Sequence, residues 1–416
     1  MIRKALLLAS AFAALSTAVH AAPTAADMAK AKAALAKSPV FDGHNDLPWA
    51  LLGGFDSDPD KAGIDGDTRG KLHTDMDRLK QGGVGAQFWS VYIPADLKGP
   101  AATQAVWRQI DTAQRIIDRR PDRLEFARTA DDVVRIEKAG KVASLFGIEG
   151  GNAIDGQLSM LREFRRAGVA YMTLTHSKSL PWADSGTDAP ISDGLSPFGE
   201  AVVKEMNRVG MLVDLSHVSA ETMKDALRVS RSPVIFSHSS AFGVTPHARN
   251  VPDDVLKLVA VNKGVVMITF VPGFVSETIR QWNGEKSALE ARLKSLNPGD
   301  PKAVKAGLDA WVAANPEPKA SSKEVADHVE HVRKVCGVDC VGIGGDFDGI
   351  DSTPTDLTGV ESYPVLLAEL SSRGWSEADL RKLTGENILR VMRANEAVVK
   401  SLAGEKPALL SDVAAK

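Results

Sequence analysis

His44 and Asp46, Glu149, His176, His217, His238 and Asp346 each stand at the close of a short apolar run. Imidazole and carboxylate without thiolate suit zinc and related divalent ions, and an open set of nitrogen and oxygen donors suits catalysis more than structure. In His44-Asn45-Asp46 the two donors alternate along an extended segment, so both side chains point to one side. Glu149 has two carboxylate oxygens and can bridge two ions, while His217 and His238 can complete the second ion. A pair of ions about 3.5–4 Å apart would generate a bridging hydroxide and polarise a carbonyl at once. A single His at a strand end is more often a hydrogen-bonded structural residue. What singles these out is their recurrence at corresponding places in successive units. Asp42 is read as steadying a ligand His from behind.

Such a set needs strands that run side by side in one direction. After an Ala- and Lys-rich helical stretch at 23–36, short apolar runs alternate with longer segments of helical period. That alternation predicts repeated strand–helix units and a parallel sheet. Eight strands are predicted, at 40–42, 85–92, 142–148, 170–174, 211–215, 234–236, 265–270 and 341–345. Amphipathic segments at 103–119, 158–167, 196–209, 220–229 and 253–261 lie between them, and Pro252 ahead of Asp253 and Asp254 marks a helix start. The expected fold is α/β, a closed (β/α)8 TIM-type barrel, with an open doubly wound sheet as the alternative. Barrel strands all end on one face, where barrel enzymes hold their active sites, so the residues above would converge. Residues 275–322 break the rhythm. Charged, helical in period and punctuated by Asn297-Pro298-Gly299 and Asn315-Pro316, they are read as a helical insertion between strands 7 and 8.

The chain has 416 residues, 44% of them hydrophobic, with 50 basic and 53 acidic residues and a net charge of -3. That balance gives no electrostatic case for nucleic acid or an anionic membrane surface. Residues 1–21 read as a secretory signal peptide: Arg3 and Lys4, an apolar run at 5–18, and Val19-His20-Ala21 before the cleavage point. The run is too short to span a bilayer. Export, to the periplasm of a bacterial-type cell, is expected, with residues 22–416 as one mature domain. No Cys follows the cleavage point and no lipid-anchor signal is evident at the C-terminus, so no membrane anchor is expected. Cys336 and Cys340 could form a local disulfide or pack as two small buried thiols. His328 and His331 lack the H-E-x-x-H spacing and are read as part of a solvent-facing helix. His73 and His247 are read as surface residues. The glycines at 342–345 and 150–151 form no dinucleotide fingerprint and are read as close-approach positions at the barrel mouth.

D-G-H-N-D-L-P-W (42–49), Q-F-W-S-V-Y (87–92), G-I-E-G-G (147–151) and L-T-H-S (174–177) resemble the membrane (renal) dipeptidase family of zinc peptidases. So do P-W-A-D (181–184), D-L-S-H-V-S (214–219), F-S-H-S-S-A (236–241), R-N-V-P-D-D (249–254) and G-G-D-F-D-G (344–349). The likeness runs in order from about Phe41 to Asn395. It implies a (β/α)8 barrel and two zinc ions per chain, bridged by Glu149 and a water or hydroxide. His44 and Asp46 would bind one ion and His217 and His238 the other. By position His176 would steady the tetrahedral intermediate, Arg249 would grip the substrate carboxylate and Asp346 would shuttle the proton. The implied substrate is a dipeptide with a free carboxyl end, with a D-residue often tolerated there, and the implied assembly is a homodimer. Some members open β-lactam rings. Residues 275–322 look longer than in the animal members.

Two other readings stand beside this one. A related binuclear amidohydrolase would act on cyclic amides, lactams or phosphotriesters, but those barrels usually begin with His-x-His and bridge with a modified Lys. A non-catalytic metal-binding descendant would have no need of His176, Asp346 and Arg249 together.

Overall fold

The computed structural model describes residues 22–409. Nine strands, all pairing in parallel, are β1 (Val40–Asn45), β2 (Val84–Tyr92), β3 (Leu124–Phe126), β4 (Val142–Glu149), β5 (Val169–Thr173), β6 (Leu212–Asp214), β7 (Ile235–Phe236), β8 (Val265–Ile268) and β9 (Val341–Ile343). Neighbours run β2-β1-β9-β8-β7-β6-β5-β4, and β4 pairs back on β2 from Ala86 opposite Ala143 to Tyr92 opposite Glu149. The eight strands therefore close into a (β/α)8 barrel. β3 stays outside the ring, pairing with residues 142–144 of β4 ahead of Phe146, where β5 takes over that edge. Its Leu-Glu-Phe sequence alternates over only three residues, too short a run to mark it as a strand.

All eight expected strands are present, and their continuous burial explains why they read as unbroken apolar runs. Side chains alternate between two cores. Phe88 of β2 and Met267 of β8 belong to one cluster with Phe41, Leu145 and Tyr171, while Trp89, Val91, Val266 and Ile268 belong to a second that extends under the helices. This period of two gives each strand one face toward the barrel axis.

The insertion is helical, as expected. Helices Glu277–Leu296 and Pro301–Ala314 follow β8, with the Trp282 and Trp311 rings 5.4 Å apart between them. Only Ile279 and Val304 of the two helices are buried, which accounts for their polar composition. Helix Ser322–Cys336 then returns the chain to the barrel with Val325, Ala326, His328, Val329 and Val332 buried. It is therefore not solvent-facing. Cys336 and Cys340 form a disulfide just ahead of β9. Among the described residues no helix is long and apolar enough to cross a membrane.

Candidate metal centre

His44 sits at a break in β1. The register with β2 shifts between Asp42 and Asn45, a bulge that re-aims the side chains there. Asp46 follows immediately ahead of helix Leu47–Phe55. His44 Nε2 lies 3.1 Å from Asp46 Oδ2 and 3.5 Å from Glu149 Oε2. Glu149 ends β4, two residues beyond Gly147 and so on the same strand face. Gly147 has no alternative: a Cβ there would stand 2.0 Å from the Tyr171 ring, which fills the barrel at that level.

The second oxygen of Glu149 faces other imidazoles. Oε1 is 2.9 Å from His217 Nε2, 3.3 Å from His238 Nε2 and 3.8 Å from His176 Nε2. His217 Nε2 and His238 Nε2 are themselves 2.9 Å apart. His217 holds φ at 69° and Asp346 at 62°, left-handed conformations that non-glycine residues adopt at a cost and that cluster at functional sites.

These residues fit a metal pair. Among the described residues His44 Nε2 and Asp46 Oδ1 are buried with no hydrogen-bond partner, a costly state that a cation would relieve. Three overlapping donor sets, His44-Asp46-Glu149, Glu149-His217-His238 and His44-His238-Asp346, each bring their ligand atoms within 4.8 Å of one another. Glu149 joins the first two.

The rings are oriented from behind. Tyr171 Oη donates to Gly43 O at 3.2 Å, so at 2.9 Å it accepts from His44 Nδ1–H, leaving the Nε2 lone pair for the centre. Ser237 Oγ donates to Asp214 Oδ2 at 2.6 Å and lies 2.8 Å from His238 Nδ1, which fixes the His238 tautomer likewise. Asp42 acts on backbone rather than on a ring. Its carboxylate takes the His44 and Gly345 amides and the Tyr363 hydroxyl, tying β1 to the turn after β9.

Electrostatics follow from this crowding. Burial alone would raise the Glu149 pKa, but His44, His176, His217 and His238 outweigh it and hold the carboxyl well below its usual range. Burial likewise opposes charge on His44, yet Tyr171, Asp46 and Glu149 raise its pKa well above normal. For His217 and His238 burial prevails, holding both well below the usual imidazole range. Asp346 goes the other way: burial raises it, His44 opposes, and the nearby Asp46 and Glu149 charges add, so it stays well above the carboxylate range. Arg249 is buried and among the described residues reaches only neutral oxygens, Ser239 Oγ at 3.4 Å and His238 O at 3.2 Å. A buried cation without a carboxylate partner is an anion site in waiting.

All of this opens on one cavity of about 740 Å³. Asp46, Glu149, His176, His217, His238, Arg249 and Asp346 line its floor, with Trp49 and Tyr92 from the first two strand–helix units and Arg280, Asn283 and Ser287 from the insertion.

A family model described as membrane dipeptidase (peptidase family M19) matches residues 28–406. The chain belongs to the membrane dipeptidase family. It is 40% identical over 378 residues to dipeptidase tcpJ of Claviceps purpurea, covering 88% of this chain and 80% of that one. The probable dipeptidase PvdM from Pseudomonas aeruginosa has the same fold, with TM-score 0.76 and 23% identity, over 90% of this chain and 99% of that one. So does a metallopeptidase from Rhodobacter sphaeroides, solved with a phosphinate mimic of the dipeptide L-Ala-D-Ala: TM-score 0.71, 23% identity, 86% of this chain and 99% of that one. This protein is thus a metallo-dipeptidase, a hydrolase of peptide bonds.

The dipeptidase brings Asp46, Glu149, His176, His217, His238, Arg249 and Asp346 to one cavity, with His44 buried against Asp46 and Glu149, and it corrects three histidines. His73 is not a free surface residue. Its amide donates to Asp348 Oδ1 at 2.6 Å and its Nδ1 accepts from the Asp348 amide at 3.0 Å, clamping the turn that carries Asp346. His247 lines the cavity and stacks on Phe274 at 4.3 Å. His328 is fully buried, its Nδ1 accepting the Ala241 amide at 2.9 Å beside the Ser237–His238 turn. Trp49, Tyr92, Tyr171 and Ser237 were missed as site residues. Trp49, Tyr92 and Ser237 fall within or beside the quoted motifs, but none carries a metal-ligating group.

Proposed function

We propose that this dipeptidase uses two zinc ions that share Glu149 to hydrolyse dipeptides with a free carboxyl end, including those ending in a D-residue. The observation that carries the reading is the division of Glu149. One oxygen faces His44, and the other faces His217 and His238. Asp46 completes the first set beside His44. When bound, such a pair supplies a water that ionises near neutral pH and a Lewis acid for the scissile carbonyl.

The chain's own residues do the rest. Arg249 receives the substrate carboxylate, a charge-assisted and potentially bidentate contact. Because that anchor stands at a fixed distance from Glu149, longer peptides lacking a carboxylate there are rejected. His176 is partly open to the cavity, and burial followed by Arg249 lowers its pKa although Glu149 raises it. A neutral imidazole still carries one N–H, which donates to the developing oxyanion and is worth roughly 2.7–4 kcal/mol. Asp346 takes the proton of the attacking water and returns it to the leaving amine.

The Rhodobacter metallopeptidase solved with its L-Ala-D-Ala mimic supports acceptance of a D-residue. Export of the chain is supported by the signal-like residues 1–21, which lie outside the described residues, and by the Cys336–Cys340 disulfide. Family likeness supports a homodimer, which sedimentation would test. The function itself is tested by offering purified, zinc-loaded protein L,L and L,D dipeptides, the matching tripeptides, and a lactam. Turnover of dipeptides alone supports the reading. Inert dipeptides with a hydrolysed cyclic amide would replace it with the amidohydrolase alternative.

A further inference from the structure

The insertion supplies a wall of the cavity but no part of the chemistry above. Arg280, Asn283, Gly284 and Ser287 of helix Glu277–Leu296 all line it. Their offsets of three, four and seven place them on one helical face. The way from the carboxylate anchor to this face is continuous. Arg249 lies 5.4 Å from the centre of the Phe274 ring, and His247 stacks on that ring at 4.3 Å. The neighbouring Gly273 stands against Asn283, whose Nδ2 would be 3.0 Å from a Cβ added there.

Trp49 and Tyr92 line one part of the cavity, and Phe274 and Arg280 line the part beside Arg249. A dipeptide whose carboxylate met Arg249 would therefore bring its carboxyl-terminal side chain next to Phe274 and Arg280. Among the described residues Arg280 is tied only to Glu277 one helical turn away, at 2.6 and 2.7 Å, with both side chains part-exposed. This bidentate contact uses two of the five guanidinium N–H groups, and the other three remain for a second carboxylate. Glu317, the carboxylate that the insertion turns to the same cavity, pairs with Lys319 at 3.6 Å. Gly284 leaves the middle of the wall open, since nothing lies within 4 Å of where its Cβ would be.

We propose that this face of the insertion helix reads the side chain of the substrate's carboxyl-terminal residue, and that Arg280 selects an acidic one. The inference rests on the dipeptidase function proposed above. Arg280 here is a specificity residue and takes no part in bond cleavage.

The test compares kcat/KM for Ala-Glu, Ala-Ala and Ala-Lys in the zinc-loaded wild type, Arg280→Glu and Gly284→Leu. The wild type is expected to prefer Ala-Glu over Ala-Lys by about tenfold or more. Arg280→Glu should reverse that order, which a merely structural role for the side chain would not do. Gly284→Leu should lower the ratio of Ala-Glu to Ala-Ala by narrowing the wall. Equal rates for Ala-Glu and Ala-Lys in the wild type, or a preference that survives Arg280→Glu, would overturn the inference while leaving the dipeptidase reading intact. Failure to cleave any of the three removes that reading and this inference with it.

Discussion

Tyr171 and His44 meet inside the barrel, hydroxyl to Nδ1 at 2.9 Å, and the hydroxyl's own proton goes to Gly43 O. One phenol thereby selects the tautomer of a metal-facing imidazole from the neighbouring layer of the barrel. Tyr171→Phe keeps the ring that fills the space over Gly147 and removes only the hydroxyl. Zinc affinity should fall about 10–100-fold, read by competition with a chelator, while the melting temperature changes little. Unaltered affinity would show that the hydroxyl does not orient His44.

Asp346→Asn separates metal binding from proton transfer. The amide keeps the shape of the turn clamped by His73 and Asp348 but cannot accept the proton. Zinc content should stay at the wild-type level while kcat falls by about 10²–10⁴-fold. A variant with near-normal kcat would assign the proton to another group.

Arg249→Ala removes a buried cation that has no carboxylate partner among the described residues. Its loss should appear mainly as a higher KM for dipeptides, with kcat/KM down by about 100-fold. An equal fall in kcat at unchanged KM would place Arg249 in the bond-breaking step instead.

His328 yields a pH effect far from the chemistry. Burial, with a smaller push from His331, lowers its pKa to about 4 although the Val275 carbonyl opposes the shift. The unfolded chain takes up this proton near 6.5 and the folded protein near 4. The stability tied to neutral His328 is therefore complete above pH 6.5 and is lost as the pH falls toward 4, about 3 kcal/mol in all. Urea unfolding across that window should show a shallower loss for His328→Gln than for the wild type. Parallel curves would contradict the assignment.

Much of the centre was legible because barrel topology does simple work. His44, Glu149, His217, His238 and Asp346 lie at or just beyond the ends of strands that run in parallel, so one rule about strand ends gathers them. What escaped depends on contacts between distant residues. The Tyr171 hydroxyl is 127 residues from His44, and no local pattern distinguishes it from any other aromatic in a strand. His328 looked solvent-facing because its helix is rich in charge, yet that helix buries one stripe against the turn after β7. β3 was missed because three residues on the flank of β4 carry too little alternation to register. The insertion was correctly read as helical and polar. That its polar face looks into the cavity depends on the fold around it.

The central claim is a pair of ions divided across Glu149. Metal analysis of the purified protein, coupled to dipeptide turnover after chelation and stepwise zinc return, tests it most directly. The account predicts about two zinc per chain, with activity restored in step with loading and both ions weakened by Glu149→Gln. One equivalent or none in a fully active enzyme would contradict it.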